Sequence, residues 1–184
     1  MNRCHWVNLK NPLYIKYHDE EWCNPSYDDN YLFEMLILEM FQAGLSWECI
    51  LNKREAFRKA YDNFNVLKVA SYNEDKIMEL MNNKNIIRNY RKIKSSILNT
   101  QIFINIQKEW GSFSNYIWHF TEGKVIISQS DEVISSSPLS DTISNDLKIR
   151  GMKFVGSTII YSYLQAIGVV NDHEKNCFLR VKNS

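Results

Sequence analysis

The sequence predicts an all-α fold in one compact unit, and three observations lead to this prediction, two for the class and one for the size. Only three prolines and six glycines occur in 184 residues, which leaves little room for hairpin turns between strands. Apolar residues recur at spacings of three and four in several windows, the period of an amphipathic helix. The length fits one compact unit or two lobes that share a core, and 45% hydrophobic residues are enough to fill such a core.

The apolar periodicity places eight helices along the chain. They are predicted at about 29–43, 47–60, 66–70, 74–82, 90–108, 113–119, 141–149 and 157–167. Asn73 and Ser140 are candidate N-caps, and Gly151 is a candidate C-terminal glycine. The serine-containing stretch from Lys124 to Pro138 is the clear non-helical segment. No internal repeat or heptad run is present, so solenoid and coiled-coil classes are excluded.

Charge and N-terminal composition narrow the function classes. Twenty-two basic and 21 acidic residues give 22 − 21 = +1, so any nucleic-acid contact must come from locally clustered cations. The N-terminus, MNRCHWVNLKNP, has no apolar segment followed by a cleavage site, and no window approaches the roughly 20 apolar residues of a membrane-spanning helix. We therefore expect a cytoplasmic protein without a membrane partner, in which the four cysteines are not disulfide-bonded.

Cysteine and histidine residues at the two ends of the chain suggest a metal site. Cys4 and His18 lie near the start, and His173 and Cys177 lie near the end at a spacing that one helical turn brings together. Two thiolates and two imidazoles suit tetrahedral zinc, and a full set of four protein ligands makes the zinc structural. The alternative is buried thiols and ordinary polar histidines, and His5 and Cys23 are rival ligands.

One glutamate stands out in the apolar run YLFEMLILEMF, residues 31–41. Glu34 lies in the first turns of the predicted helix, where a carboxylate suits the helix dipole, but Glu39 lies late, between Leu38 and Met40. The two glutamates are about 140° apart around a helix, so they cannot share a narrow polar face. Glu39 is either a partly exposed side chain or a carboxylate directed into an apolar pocket, where desolvation raises its pKa.

Aromatic residues flank this helix in the sequence: Tyr14, Tyr17, Trp22 and Trp47. Such residues are commonly part of the core. An acid surrounded by aromatic faces is also the arrangement that captures a flat, cationic heterocycle by stacking, cation–π attraction and a directed hydrogen bond.

A basic stripe occupies residues 84–94, KNIIRNYRKIK. It contains five cations and no acid: Lys84, Arg88, Arg91, Lys92 and Lys94. The stripe is either a solvated helix face or a turn and helix N-terminus that bind a phosphate backbone. Lys148, Arg150 and Lys153 form a second, weaker cluster.

Four segments, several of them long, resemble the type I family of 3-methyladenine DNA glycosylases. They are RCHWV at 3–7, NPLYIKYHDEEW at 11–22, LFEMLILEMFQAGLSW at 32–47 and RGMKFVGSTIIYSYLQAIGVVNDH at 150–173. The resemblance implies a helix-hairpin-helix DNA-repair fold in a single domain over 1–184. It further implies a zinc lobe from about 1–28 and 140–184 and a helix-hairpin-helix lobe at about 29–139.

The resemblance also assigns roles to residues. It places one zinc on Cys4, His18, His173 and Cys177, and it places the base-contacting acid on Glu39. Tyr17 and Trp47 are expected to stack on the base, with Tyr14 and Trp22 close by, and Gly44 and Leu45 are expected to enter the DNA stack. The hairpin positions that often hold glycine in the family are Asn85 and Arg91 here, and Met40 and Phe41 replace smaller or polar residues.

The function that follows is hydrolysis of the N-glycosidic bond of 3-methyladenine in alkylated double-stranded DNA. The protein is expected to act as a monomer, to flip the nucleotide and to leave an abasic site, because the resemblance offers no catalytic lysine for a lyase step. The rival hypothesis is a zinc-stabilised module that binds damaged DNA without cutting it. The two hypotheses separate at Glu39, which a pure binding module does not require.

Overall fold

A computed structural model describes residues 1–128 and 134–180 of the chain. Its helices are α1 (Pro12–Glu20), α2 (Asp29–Gln42), α3 (Trp47–Ala60), α4 (Val66–Ala70), α5 (Glu74–Asn82), α6 (Tyr90–Trp110), α7 (Phe113–His119), α8 (Pro138–Ile149) and α9 (Ser157–Ala166), with a 3-10 turn at Asp62–Phe64. The expectation of a mostly helical protein is confirmed. Within the described part, none of the helices combines the length and apolar character needed to span a membrane.

All eight predicted helices are present, and one further helix was not predicted. This is α1, where the side chain of Asn11 accepts a hydrogen bond from the Leu13 amide and Pro12 occupies the first turn. Of the residues of α1, only Tyr17 and His18 are buried, so the helix carries too few apolar positions to show a period in the sequence.

Local capping chemistry explains where several helices begin and end. The side chain of Asn73 caps α5, as predicted, and Gly151 follows α8 with a φ of +100°, a conformation that suits glycine. The assignment of Ser140 as an N-cap was wrong. Ser137 is the N-cap of α8, and Ser140 is the third helical residue, whose hydroxyl accepts a hydrogen bond from the Ser137 amide. The additional turn begins at Pro138, which is pre-organised for a first helical position.

A short parallel strand pair corrects the all-α expectation. Strand β1 (Ile126–Ile127) pairs with β2 (Val170–Asn171) and lies within the segment 124–138 that was predicted to be non-helical. Residues 129–133 of that segment lie outside the described residues. The pairing depends on chain segments far apart in the sequence, which local patterns do not reveal.

Helix α2 lies at the centre of the core. Residues 32–41 are all buried, and α2 packs against α3, α6, α7 and α9. Glu34 and Glu39 are therefore both enclosed by protein, although they face different neighbours.

The N-terminal and C-terminal segments dock on each other. The amides of Cys23 and Ser26 donate hydrogen bonds to the carbonyls of Gln165 and Ile167, at 2.9 and 3.0 Å. A Cβ on Gly168 would lie 2.2 Å from the backbone carbon of Asn24, so only glycine permits this approach. This contact brings the residues before α2 against the end of α9.

Candidate active site

A cavity of about 730 Å³ lies beside the C-terminal part of α2. The five side chains predicted to contact a base all line it, and so does the aromatic side chain of Trp6, which was not predicted to do so. The lining side chains from this set are Trp6, Tyr14, Tyr17, Trp22, Glu39 and Trp47. The Tyr17 and Trp47 ring centroids are 5.2 Å apart, and the Trp6 and Trp22 centroids are 4.7 Å apart. The cavity is thus an aromatic enclosure of a size suited to a small planar ligand.

Glu39 is a buried acid that lines this cavity and has no ion pair with the described residues. The residue is 2% exposed, and its Oε2 atom has no hydrogen-bond partner in the described part of the chain. Burial raises the pKa of Glu39 well above its ordinary value, and no charged group of the described residues offsets that effect. Burial therefore favours the protonated carboxyl, which offers one hydrogen-bond donor and one acceptor.

Three cavity residues could have been found from their spacing. Gln42 lies three residues after Glu39 on the same helix, where the two side chains share a face. Tyr161 and Gln165 are likewise separated by one turn of α9, and both donate hydrogen bonds to the Asp172 carboxylate, at 3.1 and 2.7 Å. Trp47 adds a second group without a partner among the described residues, its buried indole N–H.

The predicted metal ligands from the two ends of the chain meet behind this cavity. Ligand atoms of Cys4, His18 and Cys177 all lie within 4.8 Å of one another, and all three residues are buried. The Cys177 Sγ atom is 3.5 Å from Nε2 of His18. Cys177 reaches this position through a turn, in which its amide donates to the Glu174 carbonyl, and not through the helical turn that its spacing suggested.

His173, the fourth predicted ligand, lies beside this group but outside the 4.8 Å cluster. Its ring centroid is 5.3 Å from that of His18, its Nδ1 atom is 2.9 Å from Oδ1 of Asn171, and its buried Nε2 atom has no partner within the described residues. Burial lowers the pKa of His173 to about 4, so the ring is neutral at physiological pH, as a metal ligand must be.

The donor set fits a tetrahedral zinc ion. It offers two sulfur and two nitrogen ligands, and the orphaned Nε2 of His173 is the kind of buried polar atom that a metal satisfies. Nδ1 of His18 is 2.8 Å from Asp19, which Arg3 holds in turn, and such a carboxylate orients a ligating ring. Of the rival ligands, His5 is exposed and paired with Glu174, and the Cys23 Sγ atom accepts from the Asp172 amide.

The basic stripe divides into exposed and buried members. Four of its cations are exposed: Lys84, Arg88, Arg91 and Lys94. The inclusion of Lys92 in an exposed stripe was wrong, because this residue is 6% exposed and its ammonium donates to the carbonyls of Phe41 and Ala43. Its place at the third helical position of α6 turns the side chain inward toward the end of α2.

The second basic cluster meets the stripe at one surface groove of about 400 Å³. Arg91, Lys94 and Lys153 line this groove together with the rings of Tyr90 and Phe154. Asn99 holds the loop of Lys153 in place, since its side chain bonds both the amide and the carbonyl of that residue at 2.8 Å. Lys148 is on α8, and Arg150 is occupied by ion pairs with Glu109 and Asp146.

Gly44 and Leu45 form an exposed turn between α2 and α3. Ala43 has φ −46° and ψ 113°, Gly44 has φ +82°, and the Leu45 amide donates to the Gln42 carbonyl at 2.6 Å. These values define a type II turn, which needs glycine at its third position. Leu45 is 41% exposed at the tip, next to Trp47 of the cavity.

Comparisons with known proteins show that the chain is similar to a group of enzymes that share one activity. The family model described as methyladenine glycosylase matches residues 6–180. The chain is 42% identical over 180 residues to DNA-3-methyladenine glycosylase 1 of Escherichia coli (strain K12), covering 96% of each chain. It is 36% identical over 178 residues to DNA-3-methyladenine glycosylase of Haemophilus influenzae (strain ATCC 51907 / DSM 11121 / KW20 / Rd), covering 95% of this chain and 96% of the relative.

Solved structures show the same similarity. 3-Methyladenine DNA glycosylase I from Staphylococcus aureus, described in a study of its 3-methyladenine recognition, superposes with a TM-score of 0.93 at 35% identity, covering 100% of this chain and 99% of the other. A variant of 3-methyladenine DNA glycosylase I in complex with 3-methyladenine gives a TM-score of 0.94 at 35% identity, and all of both chains is covered.

Proposed function

The chain belongs to the methyladenine glycosylase family, and we infer that it is a DNA-3-methyladenine glycosylase, an enzyme that removes the methylated base by hydrolysis of its N-glycosidic bond. The relatives with this name span nearly the whole chain, so the inference applies to the protein as a unit. The residue assignments that follow are our proposals for how this chain performs the reaction.

The observation that supports the site is the uncompensated acid in an aromatic cavity. Methylation at N3 gives adenine a positive charge, and a cation beside Glu39 would offset the desolvation of its carboxylate. Glu39 would contact the amino group and N7 of the base. Neutral adenine brings no charge and offsets less, so the site discriminates largely by charge. The rings of Tyr17 and Trp47 would stack on the cationic purine, with Tyr14, Trp22 and Trp6 completing the enclosure.

The reaction then needs little chemistry from the protein. Flipping places the nucleotide in the cavity, and the bond between the sugar carbon and N9 breaks with its electron pair moving onto the base, which becomes neutral. Water adds to the sugar carbon and loses a proton, which leaves an abasic site and the free base. No lysine of the cavity is assigned a covalent step, so we expect the DNA strand to stay intact.

Release of free 3-methyladenine from methylated duplex DNA tests this function directly. We expect the purified protein to release that base and to leave the strand uncut until alkali is added. The alternative, a module that only binds damaged DNA, predicts binding without release. Failure to release any methylated base under single-turnover conditions, with tighter binding of methylated than of unmodified duplex, would support the alternative.

We propose that Cys4, His18, His173 and Cys177 hold one structural zinc ion. When bound, the metal would tie both ends of the chain together and would supply no open coordination position for water. Trp22 connects this site to the cavity, since its ring centroid is 4.8 Å from that of His173. A lobe of residues 1–28 and 140–184 would thus support the base-binding wall, against a helical lobe of residues 29–139, and residues 181–184 lie outside the described part.

Metal analysis of matched variants tests the zinc site. The wild-type protein should contain about one zinc per chain, and Cys177→Ser should lower zinc content and stability together because ligand binding is coupled to folding. Cys49→Ser is the matched control, since Cys49 is a free, partly exposed thiol of α3 outside the cluster. Full zinc content in Cys177→Ser would remove Cys177 from the site.

We further propose that DNA lies across the exposed cations and the turn of Gly44 and Leu45. Lys84, Arg88 and Arg91 would contact phosphates, and the groove suggests that Lys94 and Lys153 join them. Two helical hairpins meet at this groove, α5–α6 and α8–α9, and the second has Gly151 and Gly156 in its connection. Leu45 would enter the base stack where the flipped nucleotide was. A monomer in the cytoplasm stays our prediction.

Salt dependence tests the phosphate contacts. Arg88→Ala should weaken binding equally for damaged and undamaged duplex and reduce the salt slope by about one, because one fewer phosphate is neutralised. Lys124→Ala is the control, because Lys124 is exposed and paired with Glu122 outside this surface. A slope equal to that of the wild type would show that Arg88 faces solvent in the complex.

A further inference from the structure

The buried ammonium of Lys92 is the group that the reaction above does not use. Lys92 is at the third helical position of α6, where the positive end of the helix dipole disfavours a cation. The residue is 6% exposed, and burial lowers its pKa from the ordinary value. Two local effects therefore act against a charged lysine at this position, and its partners must offset them.

Those partners are the backbone at the end of α2. The Nζ atom donates to the Phe41 carbonyl at 2.8 Å and to the Ala43 carbonyl at 2.5 Å. The final carbonyls of a helix have no intrahelical partner and lie at the negative end of its dipole, so they are favourable acceptors for an ammonium. Lys92 thus caps the helix that carries Glu39, from a different helix.

The Ala43 carbonyl belongs to the central peptide of the type II turn 42–45. Type I and type II turns differ by a flip of this peptide, which reverses the direction of its carbonyl. A hydrogen bond from Lys92 to that carbonyl selects one orientation and thereby fixes the direction in which Gly44 and Leu45 project. The same α6 begins two residues after Arg88 and carries Arg91 on its exposed side.

We propose that Lys92 is a positioning residue that locks the Gly44–Leu45 turn to the DNA-binding end of α6. Phosphate contacts at Arg88 and Arg91 would then set the position of the turn relative to the stacked bases. Leu45 would thereby enter the stack at the site of the flipped nucleotide. Lys53 adds a parallel link, since its Nζ donates to the Asn85 carbonyl at 3.2 Å and joins α3 to the segment before α6. This inference rests on the proposed function and adds a residue that touches neither base nor phosphate.

Lys92→Met tests the proposal, because it keeps most of the side-chain stem and removes the N–H donors. We expect single-turnover excision from methylated duplex to fall about ten- to a hundredfold, the range for losing hydrogen bonds to a charged group. Affinity for free 3-methyladenine should stay within about twofold of the wild type, since neither Lys92 nor its partners Phe41 and Ala43 line the cavity. The fluorescence of 2-aminopurine beside a tetrahydrofuran abasic analogue should no longer report insertion of Leu45.

Control variants separate positioning from folding. Lys92→Arg keeps charge and donors and should restore part of the excision rate, and Lys68→Met, at an exposed lysine of α4, should behave as wild type. If Lys92→Met does not fold, Gly44→Ala disturbs the same turn from solvent, because its φ is +82° and nothing lies within 4 Å. That variant should also lose excision and insertion while it retains binding of the free base.

Two results would overturn the proposal. Excision and 2-aminopurine signals equal to wild type in the folded Lys92→Met or Gly44→Ala protein would show that the turn needs no anchoring. An equal loss of excision and of free-base binding in Lys92→Met would show that Lys92 supports the cavity itself. Release of 3-methyladenine by the wild type in the same assay keeps these outcomes distinct from failure of the proposed function.

Discussion

The two glutamates of α2 have opposite surroundings. Glu34 contacts the guanidinium groups of Arg54 and Arg58, at 2.7 and 2.8 Å, and Arg54 also pairs with Glu21 at 2.6 Å. Glu39, little more than one helical turn later, contacts no cation and has one oxygen without a partner among the described residues. On one buried helix, the glutamate near the N-terminal end is therefore paired with cations, and the glutamate near the C-terminal end is not.

This difference distinguishes a charge that is paired within the fold from one to which we assign base binding as a proposal. A buried carboxylate normally has a partner, because desolvation without one is costly. At Glu34 the partners are supplied by α3, so the charge contributes to the fold. Glu39 has no cationic partner among the described residues, and our proposal is that a cationic base supplies one while it is bound. Substitutions at the Glu34 end of α2 should therefore change mainly the free energy of unfolding, and substitutions at the Glu39 end should change mainly the excision of the base.

The largest expected effect is on stability at the Glu34 end. Burial by itself lowers the pKa of Arg54, but the ion pairs with Glu34 and Glu21 outweigh it and hold that pKa above its ordinary value. Arg54→Met should destabilise the protein by about 3 kcal/mol, the low end for breaking a buried ion pair, because Glu34 keeps Arg58. Denaturant unfolding measures this. Lys59→Met, at an exposed lysine of the same helix that forms no ion pair with the described residues, should change stability by less than about 0.5 kcal/mol.

The next largest effect is on activity at the Glu39 end. Glu39→Gln keeps the shape and the donor–acceptor pair of a neutral carboxyl, so any loss reports the charge. Excision of 3-methyladenine should fall about 5- to 150-fold, equivalent to about 1–3 kcal/mol, and binding of the free base should weaken with it. Single-turnover kinetics measure the effect, with Glu34→Gln as the matched control that changes stability more than excision. Equal excision by wild type and Glu39→Gln would make this carboxylate structural.

The smallest effect is a pH dependence that distinguishes the two glutamates. The pKa of Glu39 is raised in the folded protein, so the unfolded chain ionises first and the wild type loses stability as pH rises above the unfolded value near 4.3. Glu39→Gln lacks this loss. The free energy of unfolding of Glu39→Gln, minus that of the wild type, should therefore increase from pH 5.5 to pH 6.5. The increase is at most about 1.4 kcal/mol, because only one carboxyl group differs in titration between the two proteins.

Denaturant unfolding at the two pH values checks this prediction, and the difference between variants cancels the other titrating groups. Glu34→Gln should instead be less stable than the wild type at both values, since it loses its charged contacts with Arg54 and Arg58. A stability difference between Glu39→Gln and wild type that falls with rising pH would mean that Glu39 has a cationic partner in the folded protein.

Sequence patterns by themselves determined most of the helices and the unusual residues within them. Apolar spacing placed α2 to α9 because each buries one face or, for α2, nearly its whole surface. The late position of Glu39 in an apolar run singled it out, and the terminal cysteines and histidines indicated a metal site because their donor chemistry is readable without coordinates. Family resemblance in four segments added the activity, which the relatives bear out.

Only the tertiary structure decided which charges have partners. Glu34 and Glu39 are the same residue type in the same apolar run. They differ because two arginines on α3, which lie 20 and 24 positions after Glu34 in the sequence, pair with Glu34. Lys92 belongs to a basic run, but the packing of α6 on α2 buries its ammonium against two carbonyls while its neighbours stay exposed. The desolvation and pairing of a charged side chain depend on contacts between segments that are distant in the sequence. They therefore cannot be predicted from local sequence patterns.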